Sequence, residues 1–223
     1  MAYTADPAQS LTMAWYHRLI SEAFDRLGIT LEYAVYPPLR ASTMLATGKI
    51  DVEGLRAAGY EDDNPDAVIV RESILTTKYG MATVNPEIQL ARLSDLKNQT
   101  YRVEYLRGVE PLGDMLEDAV TEGYLSAISS PEQGLQKLLV GRSDVFIDFP
   151  GRISALIESL DLSLAGIQVD EFEDDIVVYP VLHRRHANLA QPLQQVLSEM
   201  KAQGLFEQYM EETRKVFLLS HDQ

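Results

Sequence analysis

The chain has 223 residues, is 46% apolar and 24% charged, and carries a net charge of −15 with no cysteine. That length and apolar content suffice for one large domain or two modest ones, each with its own core. Acidic residues are spread along the chain and Lys and Arg are not clustered, which argues against a nucleic-acid or anionic-membrane surface. Without cysteine there are no thiolate metal sites, cysteine nucleophiles or disulfides. No run of about 18 apolar residues predicts a membrane span. The N-terminus lacks the charged and apolar regions of a signal peptide, so the sequence is read either as cytoplasmic or as starting after a removed leader.

Ser10 is placed to cap a helix running to about Leu27, with Leu19, Ile20, Ala23, Phe24 and Leu27 as its apolar stripe and Gly28 closing it. Thr30–Val35 alternates as a strand does, Pro37-Pro38 breaks it, and a short helix is expected over Leu39–Thr47. Strands are expected from Asp51, over Ala67–Val70 and over Tyr79–Val84. A helical turn at Leu93–Lys97 precedes the strand Tyr101–Tyr105. Pro111 suits the first turn of a helix carrying Leu112, Met115, Leu116 and Ala119, ended by Gly123. A helix over Pro131–Val140 leads into a strand at Asp144–Asp148, and another helix follows Pro150. Ile176–Tyr179 reads as strand. Two helices close the chain, over about Asn188–Ala202 and Leu205–Lys215.

One pattern occurs twice. Leu45-Ala-Thr-Gly48-Lys-Ile-Asp51-Val52 returns in the second half as Leu138-Leu-Val-Gly141-Arg-Ser-Asp144-Val145. Each copy reads as an apolar helix end, a glycine turning left-handed, a cation beside the carbonyl-rich helix terminus, then aspartate and strand. A duplicated helix-to-strand unit predicts two similar α/β lobes with mainly parallel sheets. No long linker separates them, so strand-like crossings at Tyr79–Val84 and Ile176–Leu182 are expected to join them. Residues 1–82 and 180–223 are assigned to lobe I and residues 83–179 to lobe II. The lobes would be joined by a two-strand hinge, with a ligand cleft between them.

These units in this order resemble the bacterial extracellular solute-binding proteins of family 3. That family has the type II periplasmic-binding-protein fold and includes amino-acid receptors of ABC transporters. The matching segments are Leu45-x-x-Gly48-Lys-x-Asp51, Leu93–Lys97 leading into Tyr101-Arg-Val, Gly134 to Val145, and Leu205-Phe-Glu-Gln-Tyr209. The resemblance implies a periplasmic protein with its leader removed. Such a protein is a monomer that closes on a small polar solute, an amino acid or related small carboxylate, and delivers it to an inner-membrane ABC permease without chemistry or cofactor. It also implies two rivals. One is the ligand-sensing extracellular domain of a membrane signalling protein. The other is a cyclohexadienyl-type dehydratase with Glu110 or Asp148 as general acid, for which no paired acid and base stand out. The family's Thr-x-x-Arg after the first-lobe aspartate is replaced here by Gly59-Tyr-Glu-Asp-Asp-Asn-Pro65, without arginine, which counts against an α-amino-acid solute.

In this fold the solute meets the carboxyl ends of the strands. Arg56 lies there in lobe I and either holds a carboxylate or phosphate by two parallel hydrogen bonds or is a surface arginine paired with Glu53 or Glu61. Asp148 holds the equivalent place in lobe II. The resemblance implies that it binds a ligand ammonium from an exposed position; capping its own helix is the second role open to it. Gly108 and Glu110 precede the Pro111 helix, whose free N–H groups favour an anion; Glu110 would oppose one, so either a cationic or neutral group is expected nearby or Glu110 caps its own helix. Tyr36, stiffened by Pro37-Pro38, is read as a cleft-edge aromatic, and the loop 4–10 with Asp6 as the cleft's first loop. Tyr79 and Trp15 are assigned to packing. His183-Arg-Arg-His186 has helical spacing for two metal ligands, but its two arginines repel a cation and a solvated turn is favoured.

Overall fold

In the computed structural model residues 1–109 and 111–221 are described. The first elements are β1 (Ala2–Tyr3), α1 (Leu11–Asp25), β2 (Ala34–Val35), α2 (Pro38–Ala46), β3 (Val52–Ala57), α3 (Tyr60–Asp63) and β4 (Ala67–Ile69). Next come β5 (Leu75–Thr83), β6 (Val103–Leu106), α4 (Leu112–Ala119), β7 (Leu125–Ile128), α5 (Pro131–Leu139), β8 (Val145–Asp148) and α6 (Pro150–Ser159). The long β9 (Gln168–His183) is followed by α7 (Ala190–Ala202) and α8 (Leu205–His221). Short 3-10 turns occupy Leu93–Leu96 and Arg184–Leu189.

The chain forms two units, Met1–Leu75 with Val177–Gln223, and Thr76–Ile176. It passes from one to the other within β5 and within β9.

In unit 1 the strand order is β2-β1-β3-β9, and β4 also pairs with β9. β1 is parallel to β2 and to β3, while β9 runs antiparallel to β3 and β4. In unit 2 the order is β7-β6-β8-β5, with β6 parallel to both neighbours and β5 antiparallel to β8. The same plan is thus built twice: three parallel strands, then one antiparallel strand on the side of the third.

The pleat sends alternate side chains to opposite faces, so each sheet is covered twice. In unit 1, Leu182 joins a cluster with Trp15, Leu19, Leu193 and Phe206, while its neighbour Val181 joins Ala41, Leu45 and Tyr60. In unit 2, Val145 and Ile147 pack with Leu112 and Leu116, and Phe146 between them packs with Leu135 and Ile153. Trp15 is buried and donates its indole N–H to the Phe206 carbonyl at 2.9 Å. Tyr79 is likewise a core residue.

The duplicated sequence pattern occupies matching places, α2 into β3 and α5 into β8. Gly48 and Gly141 both have φ +66, a conformation that disfavours any side chain. Each copy is clamped by one arginine. Arg102 Nη1 donates to the Gly141 carbonyl at 2.8 Å, and its Nε and Nη2 donate to the Asp144 carboxylate at 2.9 and 2.7 Å. Arg185 Nη1 donates to the Gly48 carbonyl at 2.8 Å while Nε and Nη2 reach Asp51. Arg102 arrives just ahead of β6 and Arg185 just after β9, so similar clamps are made from unrelated positions. His186 adds a contact to Asp51 at 2.7 Å. The His183–His186 segment is therefore a charge-paired turn.

Several segments differ from their sequence patterns, among them the short α3, where no helix is expected. Thr30–Val35 is strand only at Ala34–Val35, on the exposed outer position of unit 1 where little packing enforces pairing. β7 carries too few alternating apolar residues to stand out. β9 extends far ahead of Ile176 through Asp170-Glu-Phe-Glu-Asp-Asp175, whose acids have low strand propensity but face water here around the buried Phe172.

Candidate functional site

Parallel strands end at a common edge. In unit 1, β1 leads to Asp6, β2 to Tyr36 and β3 to Arg56, so the fold brings these three predicted residues to one edge of one sheet. In unit 2, β6 leads to Gly108 and β8 to Asp148, again at one edge. Ser129 and Ser130, just beyond β7, join them there. Glu110 lies outside the described residues.

Arg56 belongs to a buried network. β3 carries a register shift between Glu53 and Leu55, and the extra residue at Gly54 brings Glu53 and Arg56 together across three positions. Neither residue is more than 5% exposed, and the Arg56 Nη2 pairs directly with Glu53 Oε1. Arg56 Nη2 also donates to Ser42 Oγ at 3.1 Å and to the Pro38 carbonyl at 3.3 Å, both on α2. Tyr60 donates its hydroxyl to Glu53 Oε2 at 2.7 Å, and its ring lies 4.9 Å from the Arg56 guanidinium carbon. Burial holds the Tyr60 hydroxyl protonated, well above the usual phenol range, with Arg56 acting in the opposite direction. Arg56 is thus an interior cation matched by Glu53. The surface placement of the second sequence reading is corrected to an interior one, with Glu53 as partner.

The other residues of this edge are engaged locally. Asp6 Oδ1 accepts from the Ala8 N–H at 2.9 Å and the Asp6 carbonyl accepts from Gln9 at 3.0 Å, which folds the first loop into a tight turn. The Tyr36 N–H donates to the Tyr3 carbonyl at 2.9 Å, and the Arg40 guanidinium lies 5.1 Å from the Tyr36 ring centre. An arginine does reach the stretch that lacks one in sequence: Arg71, beyond β4, pairs with Glu61 of α3. Sequence spacing hid it, because β4 returns to this edge only through pairing with β9.

In unit 2 Asp148 is completely buried, not exposed. Its Oδ1 accepts from the Phe149 N–H at 2.8 Å, but Phe149 is itself the N-cap of α6 and no side chain caps that helix, so the capping role is not met. Arg152 Nη1 donates to both its oxygens, at 2.7 and 3.0 Å. This partner was legible in principle as an i, i+4 acid–arginine pair, although the pair straddles a strand end and a helix start. Pro150 packs against Gly80 so closely that a Cβ there would meet its Cγ at 2.7 Å and the Asp170 carbonyl at 2.9 Å. The Phe149 and Tyr79 rings stand 5.2 Å apart. Gly108 has φ +82, the left-handed conformation suited to glycine. Among the described residues no group of three His, Asp or Glu is arranged to hold a metal, and no helix is long and apolar enough to cross a membrane.

No family model matches the sequence. An uncharacterized protein of Shewanella oneidensis is 33% identical over 217 residues, covering 97% of this chain and 82% of that protein. The chain belongs to that protein's family. Its fold is that of the type II periplasmic-binding proteins, as solved structures show. An ancestral arginine-binding protein bound to glutamine matches at a TM-score of 0.70 and 17% identity, covering 89% of this chain and 85% of the other. A histidine kinase sensor domain with similarity to periplasmic binding proteins matches at 0.72 and 14%, over 89% and 84%. The substrate-binding protein of an ABC uptake transporter from Streptococcus pneumoniae, with bound histidine, matches at 0.70 and 14%, over 89% and 81%. At these identities the likeness is one of fold.

Proposed function

We propose that this chain is a receptor for a small polar solute, an amino acid or related small carboxylate, bound at the carboxyl ends of its parallel strands. The observation that carries this reading is the doubled plan: each unit gathers polar and aromatic residues, namely Asp6, Tyr36 and Arg56 in one and Gly108 and Asp148 in the other, at the carboxyl ends of its parallel strands. That is where open α/β sheets bind ligands. The solved relatives in fold bind amino acids, which supports the solute class. The reading places the protein in the periplasm, as a monomer serving an inner-membrane ABC permease.

A thermal-shift screen across amino acids, small carboxylates, polyamines and opines tests it. A true solute at a hundredfold over its Kd adds about 2.7 kcal/mol of stability. Failure of every class to move the midpoint would refute the receptor reading. The likeness to a kinase sensor domain supports a second reading, in which the same binding event signals across a membrane. Gene deletion separates them: a transport receptor's loss abolishes solute uptake, whereas a sensor's loss leaves uptake intact and silences the response to the solute.

A further inference from the structure

The junction of β8 and α6 presents a cation where the sequence places an acid. Asp148 is fully buried, and its carboxylate is matched by the Phe149 N–H and twice by Arg152 Nη1. A carboxylate so matched has no charge left for an ammonium. Arg152, by contrast, keeps 19% of its side chain exposed, and its Nε and Nη2 have no hydrogen-bond partner among the described residues. Its guanidinium is held from two sides, by Asp148 and by the Phe149 ring 5.5 Å away. Phe149 rests against Tyr79 and Pro150 against Gly80, so the whole junction is braced by β5. A guanidinium fixed in this way loses little freedom on binding and offers its remaining donors in the planar fork that fits a carboxylate or phosphate. Its place in the first turn of the ten-residue α6 adds the favourable end of the helix dipole for a negative guest.

We propose that Arg152, not Asp148, is the residue by which unit 2 recognises the solute, and that the group it meets is an oxyanion. Asp148 is a positioning residue that aims Arg152. The inference rests on the receptor reading and narrows its solute class to anions.

The test is calorimetric titration of the purified full chain with succinate, inorganic phosphate and putrescine. At least one oxyanion is expected to bind and putrescine is not; which oxyanion binds distinguishes a carboxylate from a phosphate solute. Arg152→Ala is expected to weaken that binding roughly tenfold to a hundredfold, the value of a charge-assisted hydrogen bond or two. Because Arg152→Ala strands a buried carboxylate, the double variant Asp148→Asn with Arg152→Gln, which leaves the junction neutral, is titrated beside it. Circular dichroism establishes that each variant is folded at the titration temperature. The same loss is expected in both variants. Oxyanion affinity within twofold of the parent in both, or binding of putrescine that Asp148→Asn abolishes, would overturn the proposal. Silence of both oxyanions in the parent would also overturn it. The receptor reading would survive that silence if the thermal-shift screen still found a neutral or cationic solute.

Discussion

Glu53 is wholly buried, and its two oxygens are taken by Arg56 and Tyr60. A buried ion pair is weak evidence of net stabilisation, since desolvation offsets the attraction, but removing one partner strands the other charge. Arg56→Met, which leaves the Glu53 carboxylate buried without that cation, is therefore expected to destabilise the protein by about 3–5 kcal/mol in urea denaturation. Glu61→Gln, which breaks the half-exposed pair with Arg71, should cost clearly less, about 1 kcal/mol. Equal effects would contradict the contrast in burial. Arg56 was legible in the sequence as a residue at a strand's carboxyl end. Pairing with Glu53 was one of its two readings, but as a surface pair; its interior placement was not legible, because strict alternation places residues three apart on opposite faces of a strand, and the extra residue at Gly54 reverses that.

At the scale of elements, the twofold helix-to-strand unit acquires a physical account. Each copy ends a helix at a left-handed glycine, and one arginine ties the glycine carbonyl to the aspartate that opens the next strand. Hydrogen bonding from Arg102 is the leading cause of the lowered Asp144 pKa, partly opposed by burial. Arg185 does the same for Asp51, again against burial. A carboxyl whose folded pKa is depressed contributes stability that is present above its unfolded pKa, about 4, and lost as pH falls through the folded value. Denaturation midpoints should therefore fall below about pH 4, and Asp144→Asn should flatten that fall while lowering stability at neutral pH. An unchanged acid limb in the variant would show that the clamp carries none of it. The aspartates were visible in sequence, but their arginines were not, since Arg185 stands far along the chain from Asp51 and no local period links them.

At the scale of the molecule, the receptor reading requires solute binding to be felt at the strand-end edges. Hydrogen exchange with and without a saturating solute should slow around 4–9, 36–38 and 57–60 in unit 1 and around 107–109 and 149–152 in unit 2. Protection elsewhere, with these edges unchanged, would count against the receptor reading.

Periodicity, turn residues and the repeated glycine–aspartate unit were enough to determine most of the helices and strands, though not α3 or β7, together with the doubled α/β plan and several of the residues that stand at strand ends. All of these are consequences of backbone sterics and side-chain spacing within a few residues. Tertiary structure alone decided how the charges at those ends are matched: Arg56 with Glu53 across a bulge, Asp148 with Arg152 at a braced junction, Arg71 with Glu61 through a returning strand. The physical reason is that a buried charge is governed by whichever opposite charge the fold brings within a few ångströms, and that distance is not a function of separation along the chain.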